Sequence, residues 1–161
     1  PDWVDMEFQD RKTECENSYL YDETEYATFF AAGRFVEQDG SILGNEFWLY
    51  YPNPKFEEAG FIECMVVFDI AGTKIDSGVA GAAYAVNIQA SVDEQQTTCP
   101  EGWDGTPIYA GEETWTETYN VIETPNDGVS LAFDSGNSFA TGTRYRNGFE
   151  WMQTDVNCQA Y

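Results

Sequence analysis

Over the segment Tyr84–Ser91, apolar and polar side chains alternate strictly: Tyr84, Val86, Ile88 and Ala90 fall on one side, and Ala85, Asn87, Gln89 and Ser91 on the other. A period of two is the signature of a half-buried strand and is incompatible with an amphipathic helix. The pattern recurs. In Phe61–Ile70, Ile62, Cys64, Val66, Phe68 and Ile70 share one face. Val129, Leu131 and Phe133 alternate with Ser130 and Ala132, and Trp115, Tyr119 and Val121 alternate with Thr116, Thr118 and Asn120.

Turn residues separate these runs: Asp39-Gly40-Ser41, Pro52-Asn53-Pro54, Pro125-Asn126-Asp127-Gly128, Asp134-Ser135-Gly136-Asn137 and Asn147-Gly148. Asn147-Gly148 is the strongest hairpin signal, since a two-residue type I′ turn needs positive φ at both central positions. It is expected to join Phe139–Tyr145 to Phe149–Gln153. Runs near 28–37, 45–51, 60–70, 81–92, 107–110, 114–123, 128–134, 138–146 and 148–155 give eight or nine strands. Short spacing and hairpin turns predict an all-β fold with antiparallel pairing, either a barrel or a two-sheet sandwich. The meander from Trp115 to Gln153 favours an up-and-down barrel or a strongly curved sheet.

Residues 1–26 form an acidic N-terminal arm, with room for one short helix around Val4–Glu14. Residues 27–161 form the β domain, and the chain's 161 residues suit one core. No apolar run is long enough for a membrane-spanning helix. Pro1 in place of a methionine carries the expectation that something preceding it was removed.

The four cysteines, Cys15, Cys64, Cys99 and Cys158, show no metal-knuckle spacing. Their even number predicts two disulfides and an oxidising compartment, hence a secreted or cell-surface protein. Three connectivities are open; the expected one joins Cys99 to Cys158 and Cys15 to Cys64. The absence of any N-x-[ST] sequon fits a bacterial source.

With 29 acidic against 7 basic residues the net charge is -22, which repels phosphate backbones and anionic lipid, so nucleic acid is not an expected partner. The chain has no histidine. That removes Ser-His-Asp and Cys-His catalysis and the usual histidine metal centres. Phosphate-loop and dinucleotide glycine signatures are absent as well. Chemistry by paired carboxylates survives, because glycoside hydrolysis needs only two suitably spaced acids. Glu46, Glu63, Asp69, Glu117 and Glu150 are the strand-borne candidates. No cofactor is expected. Calcium is the one ion the loop acids would admit, at Asp22–Glu25, Glu112-Glu113 or Asn126-Asp127, though none has the order of a calcium loop.

The aromatic content supplies the positive signal. In Glu46–Tyr51, Phe47, Leu49 and Tyr51 occupy one face and Trp48 and Tyr50 the other, so one face is expected to meet a covering element, a ligand or a subunit. Trp103 and Tyr109 stand in the turn-rich segment Cys99–Glu113, a setting suited to contact with a ligand or partner. The expected ligand-contacting residues are therefore Trp48, Tyr50, Trp103 and Tyr109. These features predict a non-catalytic extracellular binding module for a glycan or a small apolar molecule. The alternatives are a structural subunit of a surface layer or fibre, binding identical copies, and a carboxylate-dependent glycosidase.

Overall fold

A computed structural model describes residues 10–11, 25–52, 63–99, 114–134, 136–154 and 157–160. Nine strands are present among them: β1 (Glu25–Gln38), β2 (Ser41–Pro52), β3 (Cys64–Ile75), β4 (Tyr84–Val92), β5 (Thr114–Thr124), β6 (Gly128–Ala132), β7 (Ser138–Tyr145), β8 (Gly148–Gln153) and β9 (Asn157–Ala160). Each of β1 to β7 pairs antiparallel with the next, and β8 returns to pair with β1. The result is a closed eight-stranded up-and-down barrel, which decides between barrel and sandwich. The ninth strand extends the seam. β1 is long enough to hold β8 along Ala32–Val36 and β9 along Glu25–Phe29.

The alternation read from sequence maps onto the wall of the barrel. Tyr84, Val86, Ile88 and Ala90 of β4 and Cys64, Val66, Phe68 and Ile70 of β3 are buried in one interior cluster. Phe35, Tyr119, Phe149 and Trp151 fill the centre of that cluster, with Phe35 packed against all three others. Buried aromatic rings at such contacts supply most of the apolar area lost to water. A second, smaller cluster lies on the outer surface, where Phe30, Ala32, Leu49 and Met152 are buried and Met65 packs against them. The expected helix around Val4–Glu14 can be followed only at Asp10 and Arg11, which are helical; the rest of it lies outside the described residues, as does the run at 107–110.

Two turns trade roles relative to expectation. The two-residue turn with left-handed backbone is Asp39-Gly40, with φ of 51° and 81°, joining β1 to β2. The β7–β8 turn is instead Arg146-Asn147, because Tyr145 already pairs with Gly148. Gly148 is required for a different reason. Its φ is 151°, and a Cβ there would stand 1.9 Å from the carbonyl oxygen of Phe35 on β1. The glycine marks the seam of the barrel, not the centre of a hairpin. At Gly40, where the space is open, alanine is expected to cost only about 1 kcal/mol through backbone strain. A urea midpoint unchanged in that variant would contradict the left-handed turn.

The disulfide pairing expected from sequence is corrected. Cys64, at the first position of β3, is bonded to Cys99. The reason is local. β3 begins before its partner β4 ends, leaving the edge at Met65 and Val67 without a strand. The segment after β4 turns back along that edge: Thr98 N donates to Met65 O at 2.8 Å, and Asp93 N to Val67 O at 2.8 Å. Thr98 Oγ1 and Thr97 Oγ1 accept from Met65 N and Val67 N. This zipper carries Cys99 to Cys64, with sulfurs 2.01 Å apart. Non-reducing peptide mapping is expected to recover Cys64 linked to Cys99. A Cys99–Cys158 peptide would contradict the pairing.

Candidate functional site

The two ends of the barrel differ. One carries the short turns 39–40, 125–127 and 146–147; the long connections 53–63 and 93–113 leave from the other. The short-turn end is occupied by charged side chains. Lys74 Nζ lies 3.9 Å from the centre of the Tyr84 ring and 3.7 Å from Glu37, whose carboxylate accepts from the Tyr84 hydroxyl. Arg144 pairs with Glu123 beside them. Lys74, Glu37, Arg144 and Glu123 thus find opposite charges or a ring face within this end itself.

Toward the long-connection end the interior becomes acidic, and among the described residues no cation pairs with the acids there. Glu46, in phase with Trp48 and Tyr50 on β2, points inward and is only 3% exposed. Its Oε1 accepts from Trp48 Nε1 at 3.0 Å, and its Oε2 from the Tyr119 hydroxyl at 3.1 Å. Both residues are held by register. Trp48 follows Glu46 by two positions, and Tyr119 projects from β5 across the interior. Burial pushes the Glu46 carboxyl up to about 7, against the two hydrogen bonds that favour its ionised form and with a smaller upward push from Glu117. Glu117 shares the inward face of β5 with Tyr119. Its carboxyl is also raised, first by burial and then by Asp134, with the Tyr119 hydroxyl opposing. Burial and the two carboxylates together hold the Tyr119 phenol well above its ordinary range.

The two oxygens of Glu46 are thus each engaged, one by the Trp48 indole and one by the Tyr119 hydroxyl, in a part of the interior where burial favours the neutral acid.

Aromatic rings surround this centre. Tyr119 contacts Phe139 at 5.0 Å, Phe133 at 6.0 Å and Trp151 at 6.0 Å between ring centres. Phe133 stacks on Phe139 at 4.2 Å yet is 40% exposed, so it forms the outer lip. Trp48 packs edge-on against Phe68. Trp151 reaches from β8 across Gly33 of β1; a Cβ on that glycine would fall 2.3 Å from the indole nitrogen. Gly33 is registered with Glu46 on β2. The indole N–H is buried and has no hydrogen-bond partner among the described residues.

No family model, curated protein or solved structure matches the chain.

Of the five strand-borne acids, the fold brings Glu46 and Glu117 together. The others are dispersed. Glu63 is exposed ahead of β3; Asp69 is exposed on the outer wall and accepts from Asn45; Glu150 pairs with Arg34 at 2.7 Å. Trp48 and Tyr50, expected to contact a ligand or partner, face the interior, and Tyr50 is 3% exposed. Trp103 and Tyr109 lie outside the described residues. So do most of the loop acids considered for calcium; Asn126 and Asp127 form a left-handed turn. Among the described residues no three acidic or cysteine side chains converge on a metal position. Sequence reasoning missed Tyr119, Trp151 and Phe133 as parts of a site. The available signal was phase: Glu46 and Glu117 interrupt the apolar face of their strands, not the polar one.

Proposed function

We propose that the chain is a secreted, non-catalytic barrel that binds a small, largely apolar molecule at its long-connection end. The observation that carries this reading is the partly exposed Phe133–Phe139 stack over Tyr119, with a buried acid beneath it. Ligand sites characteristically combine apolar walls with a few convergent polar groups, and the mouths of β-barrels are a common place for them. The connections 53–63 and 93–113 join strands at the same end, and the sequence of 93–113 contains Trp103 and Tyr109. The Cys64–Cys99 bond fits an oxidising compartment.

A glycan is a poorer match than an apolar ligand, because sugars stack on exposed rings while Trp48 and Tyr50 point into the barrel. Assembly through strand addition is weakened too: the ladder of β1 to β8 closes on itself, and closure removes the free edges that such pairing uses. Titrating the intrinsic tryptophan fluorescence with arenes and fatty acids on one hand and oligosaccharides on the other tests the reading. A saturable response to the apolar panel is expected. Response to sugars alone, or to neither panel, would overturn it. Polysaccharide turnover that disappears in Glu46→Gln would establish the carboxylate-pair enzyme instead.

A further inference from the structure

The outer wall of β7 and β8 carries a second group of polar side chains, away from the barrel mouth. Alternation along β7 turns Thr141, Thr143 and Tyr145 outward, and all three are exposed. Register sets Met152 of β8 beside Thr141, and Glu150 beside Thr143. Tyr145 stands opposite Gly148, which has no side chain to cover the ring, and the tyrosine is 54% exposed. Arg11 lies against these residues, and together they line a cleft of about 410 Å³. That is a size typical of small-ligand sites.

The chemistry of the lining narrows the ligand class. Glu150 Oε1 accepts from Arg34 Nε at 2.7 Å, and its Oε2 accepts from the Tyr145 hydroxyl at 3.1 Å. Each carboxylate oxygen has a second lone-pair site, so this fixed carboxylate can still accept from a ligand. Arg11 brings several N–H donors, and the Thr141 and Thr143 hydroxyls both donate and accept. An anionic ligand would meet Glu150, and a cationic one would meet Arg11, with Arg34 beside Glu150. A wholly apolar ligand would strip water from these groups and return no hydrogen bond. The fitting molecule is neutral, rich in hydroxyls, and apolar on one face, where the Tyr145 ring and Met152 can receive it. A sugar ring has this make-up.

We propose that this outer cleft binds a neutral saccharide unit: its hydroxyls bond to Thr141, Thr143, Glu150 and Arg11, and its C–H face lies on the Tyr145 ring. The cleft is separate from the barrel mouth, and the proposal is independent of the apolar ligand there. No tryptophan is among the described residues that line it, so its occupancy is followed by NMR and not by tryptophan emission.

Titrating isotope-labelled protein with the methyl glycosides of glucose, galactose, mannose and N-acetylglucosamine tests it. Alanine, acetate and tetramethylammonium serve as zwitterionic, anionic and cationic controls. At least one glycoside is expected to shift the amide signals of Thr141, Thr143 and Glu150 saturably, while the controls leave them in place. Tyr145→Ala is expected to weaken that glycoside about tenfold by removing the stacking face. Thr143→Val should weaken it about fivefold by removing a hydroxyl at constant shape. Both side chains are exposed on the outer wall, so neither substitution disturbs the core. Four results would each overturn the proposal: no glycoside shifts these signals, the shifts fall only on other residues, a control binds as tightly as the sugars, or both variants keep the wild-type affinity.

Discussion

Trp151→Ala is expected to lower stability by about 4 kcal/mol, the usual range for deleting a large buried ring. For a domain of this size that corresponds to a fall in Tm of about 10 °C. The ring is 1% exposed and touches Phe35, Tyr119 and Phe139, so its removal opens a cavity that none of these can fill without leaving its own contacts. The same geometry fixes the residue beneath. Gly33→Ala places a methyl group within 2.3–2.8 Å of three indole atoms and is expected to cost about 2 kcal/mol by overpacking. In the Trp151→Ala background that penalty should vanish and reverse sign, since the methyl then enters vacated space. A double-mutant cycle by urea denaturation measures this coupling. Additive effects would show that the indole does not lie across Gly33.

The second large effect concerns Glu46. Its carboxyl is raised from 4.5 to about 7 in the folded protein, chiefly by burial. Below about 4.5 the group is protonated in both states and the fold pays nothing for it. Between 4.5 and about 7 the unfolded chain releases the proton while the folded chain keeps it, so stability declines as pH rises through this window. Above it the folded group ionises too and the loss levels off. The shift corresponds to about 3 kcal/mol in total. Glu46→Gln removes the ionisation and retains an oxygen that can accept from Trp48 and Tyr119. It should therefore be more stable than wild type at pH 8, by up to about 3 kcal/mol, and close to it at pH 4. The difference between the two denaturation curves across pH isolates Glu46 from the other acids. A difference that does not grow between pH 4 and 8 would refute the burial.

The barrel was legible in sequence to the extent that its strands are half-buried. In β3 and β4 the apolar residues grouped on one face, Cys64, Val66, Phe68 and Ile70 and Tyr84, Val86, Ile88 and Ala90, share the interior cluster. β2 was harder, because Glu46–Tyr51 is apolar on both sides. The fold explains this: Trp48 and Tyr50 line the interior while Leu49 joins the outer cluster with Phe30 and Met152. Alternation tells which residues share a face and not which face is inside. Asn147-Gly148 misled because glycine serves two needs, and here the close approach of β1 outweighed the turn. The disulfide followed from a stagger between β3 and β4 that no spacing of cysteines reveals.

The site was legible only in pieces. Glu46 and Glu117 stood among five candidate acids, and nothing in one dimension brings residues of β2 and β5 to one phenol. Tyr119 read as an ordinary apolar member of an alternating run. Its role comes from projecting across a closed interior, and closure is a property of all eight strands together.

The most direct test of this account is a carbon-detected NMR titration of the Glu46 side-chain carboxyl in the native protein. A midpoint near 7, accompanied by shifts of the Trp48 indole and Tyr119 resonances, is the expected result. A midpoint near 4.5 would mean that Glu46 is bathed in water, and the acid–phenol centre with its aromatic mouth would not exist as described.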